Sequence, residues 1–236
     1  MFFYAGRVAA EIVYNALNNI EKNNLNLIKA YDVCQFIASQ FVPFYEENNI
    51  DYINNPTKRI VASVVIYDNL NKNIIQIGDC LAIYKNNSEY KYLEKNKFMD
   101  EVTSNTRALY LASLIETKQR TIEELLENDE GSDYILPLLK EQLAFQNKKI
   151  EFGYECFDGT EIPEEMIAIH SVESNSQIIL SSDGYPKLFT TLQESEEYLF
   201  SVLQDDPLLY KKYKSTKGFM KGQNSFDDRA FISFLN

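Results

Sequence analysis

Histidine is almost absent from this chain: His170 is the only one among 236 residues. It stands between Ile169 and Ser171 in an alternating segment, where a histidine is more often a surface or core residue than a catalyst. Nucleophilic schemes that rely on an imidazole base therefore have little to build on. Cysteine is nearly as scarce. Cys34, Cys80 and Cys156 are odd in number and widely spaced, which argues against a disulfide framework and a zinc site and fits a reducing compartment. No apolar run approaches the ~18 residues that a membrane span needs. The apolar start, Met1 to Tyr4, is followed at once by Arg7 and Glu11, so no signal-peptide core forms. Positive charge is also in deficit, with 23 Lys and Arg against 35 Asp and Glu and a net charge of -12. Such a surface repels phosphate backbones and acidic membranes. These deficits lead us to expect a cytoplasmic protein with no nucleic-acid and no membrane partner.

The chain also lacks internal repeats, low-complexity linkers and a compelling internal boundary, so one domain over 1–236 is expected. With 45% hydrophobic and 25% charged residues, the composition is that of a folded protein able to bury a substantial core. Val8, Ala9, Ile12, Val13, Ala16, Leu17 and Ile20 recur at helical spacing and predict a helix over Gly6–Ile20. A second helical pattern runs over Leu25–Tyr45, interrupted or closed near Pro43. Arg59–Asp68 is β-branched and nearly all apolar, the pattern of a strand buried on both faces. Ile74–Gly78, Leu81–Lys85 and Tyr90–Leu93 continue it as a predicted meander. Helices are expected over Thr106–Glu116, Thr121–Asn128 and Asp133–Gln146, with Thr121 and Glu124 forming a capping box. Strands are expected over Phe152–Phe157, Met166–Val172 and Gln177–Leu180. A helix over Thr191–Leu203, a short one within Asp205–Tyr213 and a final strand over Arg229–Leu235 complete the series. The order predicts an α+β fold with segregated helices and sheets.

Two acidic motifs carry the chemistry. One is Ile178-Ile179-Leu180-Ser181-Ser182-Asp183-Gly184, an apolar strand ending in Ser-Asp-Gly; the other is Ser225-Phe226-Asp227-Asp228-Arg229-Ala230, an Asp pair leading into an apolar strand. Each puts a carboxylate at a strand end, the kind of oxygen ligand that hard divalent cations take. Alone, each is also an ordinary turn. Preceded in order by Ala62-Ser63-Val64-Val65-Ile66 and by Gln76-Ile77-Gly78-Asp79-Cys80-Leu81, they resemble the metal-dependent protein phosphatases of the type 2C family.

That resemblance implies a four-layer α-β-β-α sandwich, two antiparallel sheets flanked by helices, with a helical insertion at about 101–147. It implies a pair of Mn²⁺ or Mg²⁺ ions whose bridging water attacks phosphoserine or phosphothreonine in a protein substrate. Asp183 and Asp227 match the family's late metal ligands. Gly184 and Asp228 support them, and Asp79 matches a more structural turn position, with Cys80 in place of the usual Ser. The family's earlier Glu-Asp and bridging Asp-Gly have no counterpart, so an N-terminally truncated or incomplete site is expected. Tyr4-Ala5-Gly6-Arg7 then corresponds to the tail of a glycine-rich turn, Arg7 to a phosphate contact, and Asp100 to the region of the family's third-metal Asp. The alternative is a phosphatase-fold regulatory or binding protein without turnover.

The remaining charged clusters have blander readings. Glu123, Glu124, Glu127, Asp129 and Glu130, and Glu194, Glu196 and Glu197, read as solvated helix faces. Lys211, Lys212, Lys214, Lys217 and Lys221 form a local basic run, either a solvated loop or a contact for a phosphorylated substrate.

Overall fold

Helical periodicity in the first fifty residues becomes two packed helices and a short third. The computed structural model describes residues 5–22, 29–95 and 97–236. Helix α1 (Ala5–Lys22) buries Ala9, Val13 and Ala16, the i, i+4, i+7 stripe expected of it. Gly6 lies in its first turns, not in a glycine-rich turn. Helix α2 (Ala30–Ser39) buries Cys34, Ile37 and Ala38, and α3 (Val42–Glu47) follows after a two-residue break. Pro43 opens α3, where its missing N–H forfeits no hydrogen bond, and so divides the predicted second helix in two. The early part of that prediction, Leu25, Leu27 and Ile28, lies outside the described residues, as does Tyr4.

The residues form two compact units, one through Cys80 together with Gln142–Ser174, the other Leu81–Glu141 with Asn175–Asn236. In the first, strands β1 (Val64–Asp68), β2 (Asn73–Ile77) and β5 (Ala168–Ser171) make an antiparallel sheet in the order β1-β2-β5. Helices α1 and α2 cover one face, packing with Phe41, Tyr45, Phe157 and Ile162 against Ile75 and Ile77 of β2. His170 sits half-buried on β5 opposite Ile74. In the second unit β3 (Leu81–Asn86), β4 (Glu89–Leu93), β6 (Gln177–Ser181) and β7 (Phe231–Leu235) pair antiparallel in the order β4-β3-β6-β7. Helices α4 (Phe98–Glu116), α5 (Ile122–Glu127), α6 (Glu130–Glu141) and α7 (Leu192–Asp205) accompany that sheet. The fold is therefore mixed α+β, with two antiparallel sheets flanked by helices. No helix among the described residues is long and apolar enough to cross a membrane.

Four predictions are corrected. Arg59–Asp68 is a strand only over its second half, and β1 is half-buried throughout instead of buried on both faces. It lies at a sheet edge, pairing with β2 alone among the described residues, so one flank adds no cover. The predicted meander is two hairpins in two sheets, because the chain leaves the first sheet at Gly78–Cys80. Phe152–Phe157 is no strand; it makes only the isolated bridges Ala62↔Phe157 and Gln146↔Tyr154. The Asn147 side chain takes the N–H and C=O of Cys156, both at 3.0 Å, the groups a ladder would use. Finally, no helix forms within Asp205–Tyr213 beyond the end of α7. Asp206 Oδ2 accepts the N–H groups of Tyr210 and Lys211 at 2.9 and 2.7 Å, favouring a compact turn over a further helix.

Candidate functional site

The β6–β7 pair brings the two acidic motifs together. Its register runs from Gln177↔Leu235 to Ser181↔Phe231. One residue further, Ser182 N–H donates to Ala230 O at 3.2 Å and Ala230 N–H donates to Ser182 Oγ at 3.0 Å. The next step sets Gly184 directly on the Asp228–Arg229 backbone. A Cβ at Gly184 would lie 2.7 Å from Arg229 Cβ and 2.8 Å from Asp228 O, so only glycine permits this approach. Asp183, Asp227 and Asp228, remote in sequence, thus share one end of one sheet. Asp183 and Asp228 are exposed and Asp227 is half-buried.

A cation already faces Asp227. Lys217 Nζ lies 2.7 Å from its Oδ1, which also accepts the N–H of Asp228 at 2.9 Å. The ammonium sits 5.7 Å from the centroid of the Phe226 ring. Next to it, Arg229 grips Glu196 of α7 through two bonds of 2.8 and 2.6 Å and donates to Ser225 Oγ at 2.6 Å. The guanidinium also lies over the Tyr185 ring, whose hydroxyl donates to Glu196 Oε1 at 2.7 Å. The bond from Arg229 holds the Glu196 carboxyl below its ordinary range. Burial, with the bond to Glu196, pushes the Tyr185 hydroxyl up to about 12. This network ties α7 to the turn that carries the Asp pair and holds the Asp227 backbone through its carbonyl.

The other half of the motif series belongs to the first unit, where it builds a turn. Gly78 has φ of +81°, and a Cβ there would lie 2.2 Å from Ser63 Oγ. The Ser63 that precedes β1 and the Gly-Asp turn are therefore in contact. Gly78 N–H donates to the buried Glu155 at 3.1 Å and Gln76 Nε2 donates to Cys80 O at 2.6 Å, so the turn carrying the half-buried Asp79 is braced from both sides. Of the weaker assignments, Asp100 lies in the first turn of α4, and Arg7 pairs with Glu11 at 2.9 Å on the exposed side of α1.

Two features escaped the sequence reading. Asp129, read as a solvated face, is the partner of Arg107, a fully buried arginine on α4, at 2.6 Å. Arg107 also donates to the carbonyls of Leu208 and Ser215 at 2.8 and 3.0 Å. The signal was available: Arg107 shares the buried stripe of α4 with Thr103, Leu111 and Leu114. The lysine run, in turn, is tied down. Lys214 donates to Asn105 at 2.7 Å, Lys221 pairs with Glu127 at 2.7 Å, and Lys211 lies over Tyr210.

The donor set decides what the corner can hold. Among the described residues no group of three or more His, Cys, Asp or Glu side chains converges as a metal site. Two cations ~3.5–4 Å apart need a shared carboxylate to offset their repulsion. The described residues bring Asp183, Asp228 and a lysine-paired Asp227 to this corner without converging them on one point, and these do not fit a two-cation centre.

No family model matches the sequence, and no curated protein matches it. Solved structures to which the chain is similar include the serine/threonine phosphatase PstP/Ppp of Mycobacterium tuberculosis, at 14% identity over 85% of this chain and 77% of that one, with a TM-score of 0.43. The catalytic domain of PstP in complex with two manganese ions is similar at 16% identity over 86% and 70%, with a TM-score of 0.41. A serine/threonine phosphatase of S. agalactiae is similar at 13% identity over 98% and 81%, with a TM-score of 0.41.

Proposed function

We propose that this chain is a serine/threonine protein phosphatase domain of the type 2C kind, acting in the cytoplasm on phosphoserine or phosphothreonine in proteins. Asp183 and Asp227 are its Mn²⁺- or Mg²⁺-binding residues, with Gly184 and Asp228 supporting them and Asp79 shaping a separate turn. The observation that carries the reading is the seating of Gly184 on the Asp228–Arg229 backbone, which joins the Ser-Asp-Gly and Asp-Asp motifs at one sheet end. Chance turns 44 residues apart (227 − 183) have no reason to meet in this way.

Turnover by the chain alone should be slow. A corner in which the described residues supply no carboxylate shared by two cations loses charge stabilisation of the kind that accounts for several kcal/mol of a barrier, on the order of a hundredfold or more in rate. A second reading, a phosphatase-fold binding protein without turnover, is favoured by one observation, the Lys217 ammonium on Asp227. An assay of phosphate release from a phosphothreonine peptide, with Mn²⁺, separates them. The expected outcome is slow release that disappears in Asp183→Asn. Retained peptide binding with no release that depends on Asp183 would establish the second reading instead.

A further inference from the structure

Lys217 does not reach Asp227 by accident of a loose loop. Gly218 N–H donates to Asp129 Oδ2 at 3.2 Å, Ser215 O accepts from buried Arg107 at 3.0 Å, and Thr216 O accepts from Ser132 Oγ at 2.9 Å. Residues 215–218 are thereby fastened through three backbone groups, Ser215 O to Arg107, Thr216 O to Ser132 and Gly218 N–H to Asp129. Phe219 N–H adds a bond to Pro207 O at 2.7 Å. On the facing side, Arg229 secures the Asp227 turn by donating to Ser225 Oγ at 2.6 Å and to Asp227 O at 3.3 Å. Both ends of the Lys217–Asp227 pair are thus mounted on anchored backbone, and the Lys217 ammonium also lies near the Phe226 ring.

We propose that Lys217 is the built-in counter-ion of this corner, its ammonium taking at Asp227 the place that a divalent cation would take. The inference rests on the reading of Asp183 and Asp227 as a metal corner and adds a residue that sets its affinity. The physical case is one of exclusion. A dication drawn to Asp227 must displace an ammonium 2.7 Å from Oδ1 or suffer its repulsion at close range. The pair is displaceable, because Lys217 and Asp227 side chains are 48% and 30% exposed and half-exposed pairs are weak. Lysine is suited to the part, being a compact charge on a flexible stem that can swing away.

Mn²⁺ titration of the full chain, read by the electron paramagnetic resonance signal of free Mn²⁺, tests this without any assay of activity. Lys217→Met should bind Mn²⁺ more tightly than wild type by up to about fivefold, the range that release of such a pair allows. The gain should vanish in Lys217→Met/Asp227→Asn, and Lys217→Arg, which keeps the charge, should behave as wild type. Thermal unfolding of each variant establishes that it is folded. Equal affinities in wild type and Lys217→Met, both lost with Asp227→Asn, would overturn the role of Lys217 and leave the metal corner standing. Absence of Mn²⁺ binding in every folded variant would overturn both, removing the metal from the proposed function as well.

Discussion

Arg107 shows how much one residue can organise. Its guanidinium is fully buried, and its partners come from two separate stretches of chain, Asp129 from one and Leu208 and Ser215 from the loop 206–220. Asp129 in turn accepts from Ser132 and Gly218, so its two oxygens are fully engaged. Removing one partner of such a pair leaves an uncompensated buried charge, which costs about 3–5 kcal/mol. Arg107→Met should therefore lower the urea midpoint strongly and loosen residues 215–218, which carry Lys217. A loss under about 1 kcal/mol would mean that Asp129 finds water or another donor and that the loop 206–220 does not depend on it. In sequence, Asp129 looked like one more acid in an acidic stretch. The difference between a solvated carboxylate and a buried one is decided by what folds against it, and Arg107 is 22 residues away.

At the level of helices and strands, structure is legible in the sequence where a segment carries its own instructions. Thr121 accepts from Glu124 N–H while Glu124 caps Thr121 N–H, the predicted box, and Thr191 caps α7 by accepting from Glu194 N–H without the reciprocal backbone bond. The stripe of α1 and the apolar run of β6 were likewise legible, because each is a local periodicity. Phe152–Phe157 misled because alternation was present but its hydrogen bonds were taken by Asn147, a residue outside the segment. The tie between α7 and the Asp227 turn yields a pH prediction. Glu196 titrates below its ordinary value of 4.5, chiefly through its bond from Arg229. A depressed folded value means that the stabilisation is complete above the ordinary value and is lost as pH falls through the depressed one. Wild type and Glu196→Gln should therefore differ by a constant amount above about pH 5.5 and converge in acid. A stability difference that persists undiminished into strong acid would show that the Glu196 charge is not what matters.

Over the whole molecule, the net charge of -12 and the three thiols frame the behaviour of the chain. Cys34, Cys80 and Cys156 are all thiols outside any disulfide, all buried and all within the first unit. Burial pushes the Cys34 thiol up to about 12, so the reactive thiolate is scarce near neutral pH. Iodoacetamide should accordingly leave the native protein almost unlabelled and modify all three cysteines on denaturation, making thiol protection a readout of the first unit. Rapid labelling of the native chain would mean that this unit opens readily. The amino-acid order alone settled the α+β class, the element types with strong periodicity, and the identity of the acidic motifs, because each depends on neighbours within a few positions. Tertiary structure alone decided that β1 is an edge strand, that Gly184 rests on Asp228–Arg229, that Arg107 is buried on Asp129, and that Lys217 faces Asp227. Those four are matters of which distant backbone arrives alongside, and close packing and charge pairing, unlike periodicity, exist only once it has arrived.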